Sequence, residues 1–149
     1  MEDLFLLEDN DDFTIALYEI LAEKCNHNPN LLNSVQKKIF LCILLENFGQ
    51  ADGILGFLQE EYSEYNDEVI EALREIGAVK SAEIITKAVK LLPADGSWFF
   101  DTSDEYSEKL MAELDSEFSY YPDGFMSDLY RKYAEKHREE LCCMEKVNT

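Results

Sequence analysis

An unbroken apolar run occupies residues 39–45, inside the segment VQKKIFLCILLENF. On a helix, such a run places apolar side chains around most of the circumference, so that other elements have to cover it on several sides. Ser34 lies just before the segment and is a suitable N-cap. The run therefore predicts a central, mostly buried helix that begins at about residue 34.

Apolar side chains recur at three- and four-residue spacing elsewhere, which is typical of amphipathic helices. A first helix is predicted at about 11–25, where the stripe consists of Phe13, Ala16, Leu17, Ile20 and Leu21. Downstream of the central helix, the three glycines of GQADGILGFLQEEY predict a turn before another short helix.

The segment NDEVIEALREIGAVKSAEIITKAVKLLP predicts an αα-hairpin at about 66–92. Asn66 is a candidate N-cap, and Gly77 is the residue expected just past the end of the first helix. Pro93 follows the second helix and ends it. A DNA-reading helix-turn-helix shares this outline, but it would need basic residues facing phosphate, and the first helix offers only Arg74 among its acids. We therefore exclude DNA binding by this hairpin.

Two further helices are predicted after residue 100. Thr102 and Glu105 fit a capping box for a helix whose stripe is Tyr106, Leu110, Leu114 and Phe118. Pro122 and Gly124 break the chain before a final helix, marked by Phe125, Leu129, Tyr133 and His137. No convincing β-alternation is present. The predicted fold is all-α, a single compact domain over residues 1–149 with a bundle of about six helices.

Three aromatic residues, Trp98, Phe99 and Phe100, lie in the loop between the hairpin and the next helix. These side chains either form an exposed docking patch or fold back over the core. Aromatic residues at this density in a loop usually pack on the core, so we predict that they are buried.

Acidic residues dominate the charge of this chain, which has a formal net charge of −19. Residues 1–23 hold eight acids and no base, residues 46–75 hold nine acids with Arg74 alone, and residues 95–128 hold ten acids with Lys109 alone. Such blocks repel nucleic acid and anionic membranes and attract basic partners. The chain also lacks the apolar run of roughly 20 residues that spans a bilayer, and its acidic start is unlike a signal peptide. We expect a cytoplasmic protein that binds neither membrane nor nucleic acid directly.

Signals for catalysis, cofactors or metals are absent from the sequence. There is no glycine-rich phosphate loop, HExxH or GxSxG motif, and only His27 and His137 could act as bases near neutral pH. Cys25 and Cys42 lie in apolar helical patterns and are expected to be buried, reduced thiols. The adjacent Cys142 and Cys143 leave open a redox or soft-metal role, the alternative being two residues on a fraying helix end. The chain is predicted not to be an enzyme and to bind no cofactor or metal.

An ordered set of segments carries a family resemblance: EALREIGAVKSAEIITKAVKLLP, an aromatic loop, ELDSEF and LYRKYAEKH. Together they resemble the bacterial family of small acidic helical proteins that includes the DNA mimic protein, over about residues 46–137. Where that family usually has an Asn-Gly-Gly-Phe turn, this chain has Ala51, Asp52, Gly53 and Ile54. The resemblance implies a non-enzymatic protein whose surface imitates DNA and occupies a DNA-binding protein.

Carboxylates three or four positions apart on a helix lie about 5–6 Å apart at Cβ, on the scale of neighbouring phosphates along a strand. If residues 59–75 are largely helical, Glu60, Glu64, Glu68 and Glu71 form such a row. The predicted partner-binding residues are Glu60, Glu61, Glu64, Asp67, Glu68, Glu71, Glu75, Asp104, Glu105 and Glu108.

Two hypotheses for function remain open on this basis. The first is an inhibitory or immunity-type protein that binds a basic protein, either a DNA-binding protein or a nuclease toxin. The second is a structural or oligomerisation module, including a homodimer, in which the charge is passive. A contiguous anionic face would support the first hypothesis, and evenly scattered acids would support the second.

Overall fold

The computed structural model describes residues 1–144, and helices joined by short turns make up most of this part of the chain. The helices are α1 (Asn10–Cys25), α2 (Ser34–Ala51), α3 (Asn66–Ile76), α4 (Val79–Lys90), α5 (Phe99–Thr102), α6 (Glu105–Ser119), α7 (Met126–Lys136) and α8 (Arg138–Leu141). Single 3-10 turns lie at Glu2–Leu6, Pro29–Leu31 and Ser63–Tyr65, and a π-helical turn lies at Gly56–Glu61. No strand occurs in residues 1–144, and six of the α-helices have eleven or more residues. The predicted all-α bundle of about six helices is confirmed.

Helix α2 is the central element, as predicted. Every residue of the run 39–45 is buried, and α2 packs against α1, α3 and α6. The predicted cap is wrong by one position, because Asn33 rather than Ser34 precedes the helix. Asn33 Oδ1 accepts a hydrogen bond from Gln36 N at 3.0 Å, and Gln36 Oε1 accepts one from Asn33 N at 3.2 Å. Asn33 and Gln36 together form a capping box, which satisfies two backbone donors at once and so fixes the start of the helix there.

The αα-hairpin is present as α3 and α4. Gly77 follows α3 with φ +98°, a left-handed conformation that suits glycine. Asn66, however, does not cap α3: it is the first residue of the helix, and its Nδ2 donates to Leu58 O at 2.9 Å. The start of α4 is capped from a distant turn, because Lys80 N and Ser81 N donate to the carboxylate of Asp123 at 2.9 and 2.8 Å.

Two details of the later helices differ from the prediction. Asp104, not Thr102, caps α6, since Asp104 Oδ1 accepts from Ser107 N at 2.7 Å and Thr102 already ends α5. Tyr106 is 75% exposed, and the buried face of α6 is Met111, Leu114 and Phe118. Of the predicted stripe of α7, Tyr133 is buried, but the other buried residues of that helix are Met126, Tyr130 and Ala134 rather than Phe125, Leu129 and His137.

The end of the described chain is held against the start of α2. Gln36 Nε2 donates to Leu141 O and Cys143 O, both at 2.8 Å. Buried Lys24 on α1 donates from Nζ to Gln36 Oε1 at 2.7 Å and to Cys143 O at 3.2 Å. These bonds satisfy side chains that would otherwise be buried without partners.

The cysteines divide as the sequence indicates, with Cys25 and Cys42 buried in the core. Burial raises the pKa of both thiols. Cys142 is only half-buried, and burial together with the Glu2 carboxylate raises its pKa to about 11. A raised thiol pKa lowers the thiolate fraction at neutral pH, which disfavours nucleophilic and metal-binding chemistry at Cys142.

Glu46 is a half-buried residue of α2 whose carboxyl group contacts two tyrosines from the last third of the chain. It accepts hydrogen bonds from Tyr121 Oη at 2.9 Å and Tyr130 Oη at 3.0 Å. Burial raises its pKa above the ordinary 4.5, although the two hydroxyls oppose the shift. A raised carboxyl pKa means that the fold favours the protonated acid. The stabilising contribution of Glu46 is therefore complete below pH 4.5 and is lost as the pH rises through the folded-state pKa.

We expect the Glu46→Gln variant to gain less in melting temperature than the native protein when the pH falls from 7 to 5, because the amide does not titrate. Thermal unfolding followed by circular dichroism at both pH values measures the difference. Glu19→Gln, which removes one exposed carboxyl group from α1, is the control. This variant should keep the native pH dependence of the melting temperature. Equal pH dependence in all three proteins would contradict the role given to Glu46.

Candidate partner-binding site

The predicted row of carboxylates is divided by a break in the helix. Glu60 and Glu61 end the π-helical turn, Glu64 lies in the following 3-10 turn, and α3 begins only at Asn66. At Tyr62 the backbone leaves helical geometry, with φ −127° and ψ 25°. Residues 59–75 are therefore helical in three pieces of different kinds, and the side chains of Glu60 and Glu68 do not follow one regular α-helical face.

The α3 part of the row is exposed but partly paired. Glu68 contacts Lys37 Nζ at 3.1 Å, and Glu75 contacts Lys38 Nζ at 2.7 Å. The hydrogen bond from Lys38 lowers the pKa of Glu75. Both lysines lie on α2, which packs against α3. Two of the predicted carboxylates are thus partly compensated from within the protein.

The remaining eight predicted residues make no ion pair within the described residues 1–144. Glu60, Glu61, Glu64, Asp67 and Glu71 are exposed, and so are Asp104 and Glu105, while Glu108 is half-buried. Asp104 also caps α6, and the hydrogen bond that it accepts from Ser107 N lowers the pKa of its carboxyl group. Most of the charge of these acidic segments is therefore available at the surface.

The structure brings Glu60 and Glu61 together with Glu108 at a cleft of about 410 Å³. Asp52 and Asp115, which sequence reasoning did not single out, complete a set of five acids lining this cleft. Its apolar lining includes Phe48, Trp98, Phe100 and Met111, and no described lining residue is basic. We call this site the acidic cleft. It joins the acidic blocks 46–75 and 95–128, which are far apart in the sequence.

One wall of the acidic cleft is the turn that ends α2. Gly53 N donates to Phe48 O at 2.8 Å, and Asp115 Oδ1 accepts from Ile54 N at 3.1 Å. Gly53 has φ +108°, and a Cβ there would lie 2.9 Å from Asp115 Oδ2, so both the backbone and the space require glycine. Burial raises the pKa of Asp115, against the effect of the Ile54 N–H.

Gln59, in the π-helical turn, holds the aromatic wall of the cleft, which is formed by Trp98 and Phe100. Its Nε2 donates to Ser97 O at 2.8 Å, and its Oε1 accepts from Phe99 N at 2.7 Å. Phe99 is buried, as predicted for the loop aromatics, but Phe100 is 51% exposed, and its ring centroid lies 5.8 Å from that of Trp98. The core prediction is therefore confirmed for Phe99 and wrong for Phe100, while Trp98 is half-buried.

The other predicted residues do not line the acidic cleft. Glu64 lies in the 3-10 turn after the π-helical turn, and the remaining carboxylates of its block lie on α3. Asp104 caps α6, and Glu105 is the first residue of that helix. The assignment of all ten residues to partner binding stays a prediction. Asp52 lies in the turn that replaces the family's Asn-Gly-Gly-Phe motif, and Asp115 lies in the ELDSEF segment that carries the family resemblance, so both positions had a sequence signal.

The described chain contains few features that would support another kind of site. In residues 1–144 no three or more His, Cys, Asp or Glu side chains are grouped so as to hold a metal ion. His27 is exposed, and the His137 ring lies 4.3 Å from that of Tyr133 between centroids. None of the helices in this part of the chain is long and apolar enough to cross a membrane.

Comparison with known proteins places the chain in a family. Residues 30–137 match the family model described as DMP19-like protein. Neither the curated proteins nor the solved structures include a significant match. The match ends at the same residue as the resemblance noted from the sequence and begins earlier, so that resemblance is confirmed. Because the matched segment covers well over half of the chain, the protein belongs to the DMP19-like protein family.

Proposed function

We propose that this protein is a non-enzymatic binding protein that occupies the basic surface of a nucleic-acid-binding protein and thereby inhibits it. The observation that carries the proposal is the meeting of two acidic blocks at one cleft whose lining, among residues 1–144, contains no base. Family membership supports it, since the family is one of DNA mimics. A DNA-binding protein and a nuclease toxin both present such a surface.

The proposed inhibition is a competition between this protein and nucleic acid for the same cationic groove on the partner. Lysine and arginine side chains that neutralise phosphates also pair with carboxylates, and the attraction steers the encounter over a Debye length of about 8–10 Å. Within residues 1–144 only four acids form ion pairs, those of Glu2, Glu68, Glu75 and Glu135. The protein therefore meets a basic partner with most of its carboxylates uncompensated.

Self-association is the second candidate function, and exposed apolar side chains favour it. Leu6 is 79% and Phe125 67% exposed, and Phe125 lines a surface hollow with residues 8–11. Large exposed apolar groups often mark contacts between chains. In this alternative the protein is a structural module or homodimer and its charge is passive.

Capture of partners followed by competition with DNA tests the proposal. Tagged protein is incubated with lysate at low salt, and each captured protein is then challenged with duplex DNA. We expect nucleic-acid-handling proteins that DNA displaces, with affinity falling by about tenfold or more between about 50 and 300 mM salt. The proposal would be contradicted if a captured protein bound DNA and this protein at the same time. It would also be contradicted if no nucleic-acid-handling protein were captured. Sedimentation of the purified protein separately measures self-association.

A further inference from the structure

We propose that the acidic cleft is a receptor for a single arginine side chain presented by the basic partner. This inference rests on the proposed function and specifies how the partner is held. The cleft combines five carboxyl groups with an aromatic wall formed by the half-buried Trp98 and the half-exposed Phe100. Five carboxyl groups line this cleft and none of its described lining residues is basic, so a cation is the complementary occupant.

The aromatic wall selects arginine over lysine. A guanidinium is planar and weakly hydrated, so it stacks on aromatic rings while its N–H groups still donate to carboxylates at the edge of the plane. Phe100 is half exposed, and its ring is tilted by 59° to that of Trp98, so the two rings do not cover each other. An ammonium group would use the carboxylates but gain less from the rings.

The cleft is formed before any partner arrives. Gln59 fixes the aromatic wall through Ser97 and Phe99, and Asp115 fixes the opposite turn through Ile54. Its volume of about 410 Å³ falls within the roughly 300–1,000 Å³ of small-ligand pockets. Preorganised walls reduce the ordering cost of binding, which allows one side chain to contribute strongly.

The only tryptophan of the chain, Trp98, lines the acidic cleft and reports directly on its occupancy. We would titrate the protein with N-acetyl-arginine amide and with N-acetyl-lysine amide, following Trp98 fluorescence and its indole N–H resonance. The expected result is a saturable change with the arginine compound and affinity at least about threefold weaker for the lysine compound.

Paired variants localise the binding. Glu60→Gln with Glu108→Gln removes two cleft charges whose side chains make no ion pair in the described structure, and should weaken binding of the arginine compound by about tenfold. Glu19→Gln with Glu83→Gln makes the same change in net charge at exposed positions outside the cleft and outside the predicted partner-binding set, and should have little effect. Phe100→Leu should reduce the preference for arginine over lysine.

A change that does not saturate, equal affinity for the two compounds, or equal loss in both double variants would overturn the inference. The proposed function fails differently, through loss of DNA competition at the captured partner. If competition holds while N-acetyl-arginine amide does not bind, the protein is still a mimic but the acidic cleft is not its arginine receptor.

Discussion

Replacing Phe57 with alanine should lower the free energy of unfolding by about 3–5 kcal/mol, the usual range for a buried phenylalanine. Phe57 is 0% exposed and lies in the π-helical turn. Its ring stacks on Tyr62 with 5.3 Å between centroids and lies edge-on to Phe48 at 6.3 Å. The alanine variant would lose these contacts and leave a cavity. Urea denaturation followed by circular dichroism measures the change.

The size of this effect is large compared with the roughly 5–15 kcal/mol that stabilises a typical domain. Phe100→Ala is the matched control, because it removes the same ring from a half-exposed position and should cost much less. A loss below about 1 kcal/mol for Phe57→Ala would show that the π-helical turn is not an integral part of the core.

The second large effect concerns binding by the acidic segments. A variant in which Glu60, Glu64, Glu68 and Glu71 are all replaced by glutamine should bind a captured basic partner about 100-fold more weakly and keep its helix content. Of the four, only Glu68 makes an ion pair within the described part of the chain, with Lys37, and an exposed pair of this kind contributes about 0–1 kcal/mol to folding. Titration calorimetry and circular dichroism measure the two properties separately.

Net charge alone would also weaken binding, so the control carries the same number of substitutions elsewhere. Glu19, Glu23, Glu83 and Glu139 are exposed on α1, α4 and α8, and their replacement by glutamine lowers the charge equally. We expect this control to retain most of the affinity. Equal losses in the two quadruple variants would contradict binding through these four residues and would favour attraction by overall charge.

The helices could be predicted because their signals are local. The three- and four-residue spacing fixes α1 and the hairpin, and Gly77 marks the end of α3 where the structure has it. Caps were harder to place, since Asn33 and Ser34 are adjacent and both can accept from the backbone, and only the reciprocal bond with Gln36 decides between them. The predicted stripe of α7 was displaced because its four-residue spacing starts at Phe125, which is exposed and precedes the helix, whereas the buried side chains start at Met126 and continue at Tyr130.

The acidic cleft, in contrast, depends on contacts between distant residues. Asp115 and Ile54 are 61 positions apart, and Gln59 bonds to residues about 40 positions further along the chain. No local pattern encodes such pairs. Composition identified the acidic blocks and three of the lining carboxylates, Glu60, Glu61 and Glu108, but only the fold shows that these share a cleft with exposed aromatic rings.

The attachment of the chain end to α2 has a consequence for how the molecule opens. Asn33 Nδ2 donates to Glu140 O at 2.8 Å, and neighbouring Gln36 bonds to Leu141 and Cys143. Protection of amide protons from exchange reflects which segments unfold together. The first turn of the central helix and the last described residues cannot separate without breaking these bonds. They therefore form one cooperative unit, although more than 100 positions of sequence lie between them.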